Sequence, residues 1–342
     1  MCTVSSVVTD NANNMRSMRK SLALSNNENV RSVFTYGCSA HLANLIAKDL
    51  IDHKVVDKVK TVVKYFRNTH IAKAKFRDAK GTNLCLPIDV RWNSYYDCLK
   101  SFADNYLTLT TLASTYKHIF DKDVVRLLTE ENLLAASENL CEKLKVVGTA
   151  VDRLQANDCY LSDAYEEWIT MRKYFQGENG EMDDICNVNA DLMCFNDRFN
   201  LAITVYHSLA NLLDPRYKGR NLLPEHRTEA MNFIEIENET FLSEILKFQA
   251  EAQAPYEKYL FNSSATQNIS PYIWWKSIEN SGVIKPDLKF TKFCTKLFTC
   301  NASTAGLERL FSTYGFIHSK IRNRLGVDKS AKLVSLFKIY NK

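Results

Sequence analysis

The sequence lacks any apolar run approaching 18 residues, and residues 1–6 lack the basic and then apolar pattern of a secretory leader. The first absence argues against a membrane-spanning helix, and the second against secretion. Its ten cysteines are scattered, with no CxxC pair and no dense framework, so a disulfide scaffold is not expected. We therefore expect a reduced, intracellular protein without a membrane partner.

Acidic residues are scarce at both ends of the chain. Residues 1–100 contain 16 Lys or Arg against 8 Asp or Glu, and residues 285–342 contain 12 against 3. Residues 121–200 reverse this balance, with 8 against 17, so the net charge of +5 hides a strong asymmetry. Basic ends that fold together would suit phosphate groups. Composition alone is equally consistent with charges that only solubilise helix surfaces.

The apolar pattern predicts a mainly helical protein with a small α/β portion. Residues 4–9 are typical of a short buried strand ending at Asp10, and residues 33–36 of a second strand that leads into a helix. Apolar residues recur at helical spacing from Val55 to Phe66 and over most of residues 95–248, where the last helix is expected from about residue 225 to residue 248. The hydrophobic content of 46% over 342 residues is ample for one large or two ordinary domains.

A helix is predicted from about residue 303 to residue 320, with Ser303 or Thr304 as its N-cap. Its apolar residues follow the spacing of a buried stripe, and Glu308 lies beside them. A carboxylate in that position either pairs with a cation such as Arg309 or Arg322, or joins other carboxylates around a metal ion. The predicted stripe consists of Leu307, Leu310, Phe311 and Tyr314.

Several separated motifs follow one another in an order that resembles the hAT superfamily of DNA transposases and the host proteins derived from them. Each motif alone is weakly specific, but the ordered set is strong and spans nearly the whole chain. The matching segments are Thr9-Asp10-Asn11-Ala12 with Asn14-Met15, Cys38-Ser39-Ala40-His41 with Asn44-Leu45, Arg91-Trp92-Asn93-Ser94, Leu213-Asp214-Pro215-Arg216-Tyr217, and Trp274-Trp275 followed by residues 303–312.

This resemblance implies an RNase H-like core that a long helical insertion interrupts and a C-terminal dimerisation region completes. The implied divisions are residues 1–95 for a partial RNase H-like region with its late strands and helices, 96–250 for the helical insertion, 251–270 for a linker, and 271–342 for the dimerisation region. The expected fold class is therefore mainly α with a partial α/β RNase H-like core.

By the same resemblance, Asp10 corresponds to the second catalytic acid of the family and Glu308 to the third. Carboxylates of this kind hold two Mg²⁺ or Mn²⁺ ions during phosphoryl transfer. The first acid lies on a strand many residues before the second, and no acid precedes Asp10 here. We therefore expect a relict site, with no metal unless a longer product supplies the missing acid.

The resemblance also suggests DNA contacts by His41, Arg91 and Trp92. A partly buried structural role suits His41 at least as well. Cys38 and His41 have the three-residue separation found at zinc sites, but no second ligand pair is visible, so zinc is not expected. Trp92 is suited to stacking on a displaced base and equally to anchoring a core. The basic residues Lys320, Arg322 and Arg324 either touch a DNA backbone or neutralise Glu308 and nearby helix ends.

The C-terminal region is expected to mediate association. Trp274 and Trp275 favour packing or an interface, and the last helix, with Asp328 as its predicted N-cap, presents Leu333 and Phe337. We expect a nuclear, transposase-derived protein that acts in dimerisation, in DNA binding, or in both, without catalysis. The partner would be a second copy or another hAT-like chain. The alternatives are part of an active metal-dependent transposase and a remnant without function.

Overall fold

The computed structural model describes residues 4–88, 93–177, 188–251, 255–280, 287–317 and 326–340. These residues are mainly helical, which confirms the predicted class, whereas the RNase H-like core remains a prediction. None of the described helices is long and apolar enough to cross a membrane.

The elements in chain order are β1 (Ser6–Thr9), α1 (Asn13–Ala23), α2 (Glu28–Arg31), β2 (Phe34–Gly37), α3 (Ser39–Asp49), α4 (His53–Asn68), α5 (His70–Asp78), α6 (Asn93–Thr115), α7 (Lys122–Leu128), α8 (Leu133–Leu154), α9 (Leu161–Phe175), α10 (Val188–Ala202), α11 (Val205–Leu213), α12 (Pro224–Asn238), α13 (Thr240–Ala250), α14 (Ser263–Gln267), α15 (Pro271–Asn280), α16 (Leu288–Leu297), α17 (Ala305–Ile317) and α18 (Val327–Tyr340), with a 3-10 turn over Lys258–Phe261.

The chain divides into two compact units, and both are discontinuous in sequence. Unit 1 comprises residues 1–42, 152–179 and 197–342, and unit 2 comprises residues 43–151 and 180–196. The predicted boundaries near residues 95 and 250 differ from these limits. The sequence pattern marks where helices begin and end, but it does not show which distant helices pack together.

Unit 1 contains the two strands, which pair in parallel as a two-stranded sheet. Both predicted strands are confirmed, with limits shifted by one or two residues. Helix α11 is the central helix of this unit, because it packs against α9, α12 and α16 and most of its residues are buried. Strand β2 contacts this core through Tyr36, whose ring lies against the ring of His207 on α11.

Unit 2 is a helical assembly built around α4 and α6. Helix α4 packs against α5, α6 and α7, and it does so through a stripe of buried residues at helical spacing. Phe66 lies at the centre of this core, with Phe76 at a ring-centroid distance of 5.9 Å and Phe120 at 5.6 Å. The helix predicted from residue 55 to residue 66 is thus confirmed in a longer form.

Two regions of unit 1 differ from their predicted form. The helix expected from residue 225 to residue 248 is divided into α12 and α13, because Asn238 Oδ1 accepts hydrogen bonds from the backbone and hydroxyl of Thr240. Such a side chain competes with the helical hydrogen-bond pattern. The segment expected to be a polar linker is packed, since Tyr256 is fully buried and its hydroxyl donates to Glu244 Oε2 at 3.1 Å.

Candidate functional site

The carboxyl ends of the two parallel strands form the edge at which the predicted acid Asp10 lies. Thr9 is paired with Gly37, and Cys38 N donates to Thr9 O at 2.7 Å. Asp10 directly follows this pair, as the sequence predicts, and its side chain is exposed. Its Oδ1 accepts a hydrogen bond from Ala12 N at 3.1 Å. The carboxylate therefore stabilises the turn that leads into α1.

Asn11 ties the two strand ends together. It is buried, and its Nδ2 donates to Cys38 O at 3.1 Å. Gly37 makes this approach possible, because a Cβ at that position would lie 1.9 Å from Asn11 Oδ1. Arg19 of α1 closes the turn by donating to Asp10 O at 2.7 Å and to Asn11 Oδ1 at 3.3 Å. The turn around Asp10 is thus fixed by contacts to its backbone and to its neighbour.

The segment that carries Glu308 reaches the same edge. Ser39 N donates to Ala302 O at 3.0 Å, and Thr304 N donates to Cys38 Sγ at 3.4 Å. The Thr304 hydroxyl in turn donates to Glu308 Oε1 at 2.7 Å. Helix α17 begins directly after Thr304, as predicted, so it starts beside the strand ends. The structure therefore brings the segments of Asp10 and Glu308 to one edge of the sheet.

The described residues do not form a metal site at this edge. In the part of the chain that the structure describes, no group of three or more His, Cys, Asp or Glu side chains is placed to hold a metal ion. The carboxylates of Asp10 and Glu308 each accept a local hydrogen bond.

Arg309, Cys38 and His41, which the sequence also connects with this site, have the following contacts. Arg309 Nη2 donates to Asn157 Oδ1 at 2.5 Å, and the described ion pairs do not include one between Arg309 and Glu308. Cys38 is buried, with its sulfur accepting from Thr304, and His41 is half-buried on α3. Five candidate DNA contacts lie outside the described residues: Arg91, Trp92, Lys320, Arg322 and Arg324.

His207 of α11 is a fully buried histidine that sequence analysis did not identify. Thr204 N donates to its Nδ1 at 3.3 Å, so the neutral ring carries its proton on Nε2, which lies 3.3 Å from Ser39 Oγ. Burial, together with a smaller contribution from nearby His226, lowers the pKa of His207 to about 3. The ring therefore stays neutral and links α11 to the first residue of α3.

We expect acid to destabilise the protein through His207. Between about pH 6.5 and pH 3 the unfolded chain binds a proton that the folded chain does not, so stability falls as pH falls. Replacing His207 by glutamine removes this contribution. From pH 7 to pH 5, the wild type should lose about 2 kcal/mol more unfolding free energy than H207Q. Urea unfolding at each pH measures the difference.

The matched control for this pH series is H118Q, which replaces a histidine exposed on unit 2. Its stability should follow the wild type across the range. Parallel pH profiles for H207Q and the wild type would contradict the assignment of a buried neutral ring.

A buried ion pair connects α9 to the turn after α11. Arg216 binds Asp214 in a bidentate manner, with Nε to Oδ1 at 3.0 Å and Nη2 to Oδ2 at 2.7 Å. Ser162 Oγ of α9 donates to Asp214 Oδ2 at 2.7 Å. Burial raises the pKa of Asp214, and the hydrogen bonds from Arg216 and Ser162 oppose this shift. With these donors the carboxylate is satisfied as an ion.

Asp163 extends this network at the N-terminus of α9. Its Oδ1 lies 2.9 Å from Arg216 Nη2 and accepts from the Tyr217 hydroxyl at 2.7 Å. Its Oδ2 accepts from Tyr160 N at 3.0 Å, so the same carboxylate caps α9. The segment from residue 213 to residue 217, one of those that resemble the transposase superfamily, therefore has a structural role in unit 1.

Trp274 and Trp275 lie in the interior of unit 1, which corrects their assignment to an association surface. Trp275 is fully buried and Trp274 nearly so. Their indole nitrogens donate to backbone carbonyls at 3.0 Å, from Trp274 to Leu260 and from Trp275 to Leu213. An adjacent pair of tryptophans is compatible with core packing or with an interface. The burial and the hydrogen bonds of both rings show that they pack in the core of unit 1.

The predicted buried stripe of α17 lies instead at the surface, and this expectation was wrong. Leu307 is 55% exposed and Phe311 is 70% exposed, while Leu310 and Tyr314 are half-buried. Helices α17 and α18 pack against each other, yet apolar side chains of both helices are exposed to solvent. We call the exposed set the C-terminal apolar face: Leu307, Phe311, Phe316, Val327, Leu333, Leu336, Phe337 and Ile339.

Leu333 and Phe337, which the sequence assigns to association, belong to this face and are 40% and 41% exposed. Asp328 is in the first turn of α18 rather than at its N-cap, because the helix begins at Val327. The site residues that the sequence does not reveal are His207 and the α9 partners of the Asp214–Arg216 pair, Ser162 and Asp163. Their contacts join residues far apart in the chain, and no local pattern marks them.

Neither the models of known protein families nor the curated proteins contain a match to this chain.

Proposed function

We propose that this protein is a transposase-derived interaction protein that self-associates through the C-terminal apolar face, without a catalytic step. The nucleus is its proposed site of action. The observation that carries the proposal is the exposure of large apolar side chains along both α17 and α18. Large apolar side chains left exposed in such number on neighbouring helices are typical of interaction sites.

The face is too apolar to be an ordinary solvated helix surface. Its eight members are between 40% and 72% exposed, whereas α17 buries only Ala305 and Ile317 among its described residues. Covering a large apolar side chain contributes about 1.5–3 kcal/mol. A partner that covered several of these residues would therefore gain enough free energy for a stable complex.

A second copy of the chain is the partner that this face fits best. A pair of packed helices with exposed apolar side chains can dock against its own copy to form a four-helix arrangement. In such a two-fold contact each residue meets the same surface on the other subunit, so apolar residues face apolar residues. Charges of both signs occur on these helices, including Glu308, Arg309, Asp328 and Lys332, which suits a self-complementary margin.

The proposed ancestry is supported by the arrangement at the strand edge. The segments around Asp10, Cys38 and Thr304 come from distant parts of the chain and are joined there by hydrogen bonds. These are three of the segments in which the sequence resembles the transposase superfamily. Their meeting is what a shared ancestral site would leave behind.

The self-association proposal is tested with F311S and L336S, which place one hydroxyl on each helix of the face. We expect a dimer for the wild type at tens of micromolar protein, and at least about a tenfold increase in dissociation constant for each variant. That change corresponds to about 1.4 kcal/mol, which is below the cost of uncovering one such side chain. Sedimentation equilibrium measures the constant.

The controls are L107S on α6 and I236S on α12, which replace side chains that are 81% and 83% exposed outside the face. They should leave the dimer unchanged, and circular dichroism should show that every variant is folded. A strictly monomeric wild type would contradict self-association. Equal weakening by the controls would contradict the assignment to this face.

A further inference from the structure

A cavity lies in unit 1 beside the turn that follows α11. Its volume is about 460 Å³, which is within the range of sites that bind small ligands. The described residues that line it include two arginines and no acid. One of these arginines is Arg216, which is already bound by Asp214 and Asp163. The rest of the lining takes no part in that ion pair and has no role described so far.

Two side chains of this lining offer hydrogen-bond donors to a ligand. Arg220 and Gln267 are exposed, and their side chains take part in none of the described ion pairs or hydrogen bonds. The guanidinium of Arg220 has five N–H donors in a planar fork, and the amide of Gln267 has two. Such a fork matches the two oxygens of a carboxylate. The cavity therefore contains donors that suit a carboxylate group.

The backbone at Arg220 is fixed by the turn that precedes it. Lys218 and Gly219 both have left-handed backbone conformations, with φ angles of 53° and 69°. Gly219 N donates to Asn211 O at 3.0 Å, and Arg220 N donates to Tyr217 O at 3.1 Å. A left-handed residue other than glycine is strained and persists only where its surroundings determine it. The turn therefore presents Arg220 to the cavity from a defined position.

Three rings form the apolar part of the lining: Pro215, Tyr217 and Phe261. The ring of Phe261 lies 5.4 Å from that of Phe248 and 5.3 Å from that of Trp274, measured between centroids. The hydroxyl of Tyr217 donates to Asp163 Oδ1 at 2.7 Å. Both aromatic rings are thus held by contacts outside the cavity. Rings that are already in place suit a flat apolar ligand, because little conformational freedom is lost on binding.

The charge of the lining suits one negative charge rather than two. Arg216 is neutralised by Asp214 and Asp163. Among the described residues of the lining, Arg220 is the cation without an ion pair. A carboxylate matches this single guanidinium. A phosphate dianion would bring a second negative charge close to Asp214 and Asp163, which repel it.

We propose that this cavity binds small organic acids that combine one carboxylate with a flat aromatic body. The carboxylate accepts hydrogen bonds from Arg220 and Gln267, and the aromatic body packs against the rings of Tyr217 and Phe261. This binding goes beyond self-association, because it uses no residue of the C-terminal apolar face.

The probe for this site is para-fluorohydrocinnamate, whose fluorine NMR signal reports binding at neutral pH. We expect saturable binding to the wild type with a dissociation constant of about 1 mM or below, as for a small ligand of ordinary efficiency. R220Q removes the free guanidinium and should weaken binding at least about tenfold. R220K keeps the charge without the planar fork, so its affinity should lie between those of R220Q and the wild type.

The matched control is R227Q, which removes the same charge from an exposed position on α12 outside the cavity lining. It should bind within about twofold of the wild type, because exposed charges act weakly at a distance in salt. Equal weakening by R220Q and R227Q would overturn the proposal, because it would show a general charge effect. Absence of saturable binding to the wild type up to about 10 mM probe would also overturn it.

Competition separates the two parts of the ligand. Unlabelled hydrocinnamate should displace the probe. Hydrocinnamamide lacks the charge and acetate lacks the ring, so each should require at least about a tenfold higher concentration. Equal displacement by either compound would contradict the proposed combination of carboxylate and ring. Stronger displacement by phenyl phosphate would assign the cavity to phosphate groups instead.

R220Q should keep the unfolding free energy and the dimer constant of the wild type, because Arg220 is exposed and lies outside the C-terminal apolar face. Urea unfolding and sedimentation equilibrium measure these two quantities. Failure of this proposal is therefore distinct from misfolding of the variant and from failure of self-association.

Discussion

Replacement of Trp275 by alanine is expected to lower the free energy of unfolding by about 3–5 kcal/mol, the range for large aromatic residues removed from a core. Trp275 is fully buried. Its ring centroid lies 5.2 Å from that of Phe248 and 5.6 Å from that of Phe290. Its indole nitrogen also satisfies the carbonyl of Leu213. Both the packing and the hydrogen bond would be lost together. Urea unfolding followed by circular dichroism measures the change.

The control for this variant is I273A on the same helix. Ile273 is 56% exposed, so its truncation should change stability by about 0.5 kcal/mol or less. W275F separates the two contributions, because it keeps an aromatic ring but leaves the Leu213 carbonyl without its donor. A loss below about 1 kcal/mol for W275A would contradict a central role for this ring in unit 1.

Replacement of Asp214 by alanine is expected to cost about 3–5 kcal/mol, because it leaves Arg216 largely buried without its main partner. Burial by itself lowers the pKa of Arg216, but the hydrogen bonds and charge of Asp214 outweigh it and shift the pKa upward. Without Asp214 that upward shift is lost, but an arginine guanidinium is protonated at neutral pH even when it is largely buried, so Arg216 stays charged. Asp163 alone then has to compensate it. Thermal and urea unfolding both measure the loss.

Two further variants make this prediction specific. D104A breaks an exposed pair with Lys100 on α6 and should cost about 0.3–0.5 kcal/mol. The double variant D214A/R216A should cost less than the sum of its single variants, because it removes the unpaired charge. Strict additivity in this cycle would contradict a coupled buried pair.

The sequence predicts the local elements well because periodicity is a local property. The short valine-rich segment at residues 4–9 and the helical spacing near residues 55–66 both correspond to observed elements. The position of Asp10 after a strand follows from the same pattern. The pattern does not show which other element of the fold, if any, packs against an apolar stripe. For this reason Leu307 and Phe311 were expected to be buried, although both are exposed.

The candidate site was only partly predictable. Asp214 and Arg216 are two residues apart, so their pairing is local. Their partners Ser162 and Asp163 come from a helix about fifty residues earlier and follow from tertiary packing alone. The buried environment of His207 likewise depends on Ser39, which belongs to another part of the sequence. Long-range contacts of this kind need the folded structure.

The discontinuity of unit 1 has a consequence for synthesis on the ribosome. Tyr36 donates through its hydroxyl to Asn301 O at 2.9 Å, and Ala302 N donates to Cys159 O at 3.2 Å. The strands that emerge first therefore complete their contacts only when residues near 302 have left the exit tunnel. At about 5–20 residues per second, the intervening 265 residues take some tens of seconds to translate. During that delay Tyr36 and Ser39 lack the carbonyl groups of Asn301 and Ala302 that accept their hydrogen bonds in the folded protein. Nascent unit 1 therefore stays incomplete after the last residue of unit 2, residue 196, has been translated.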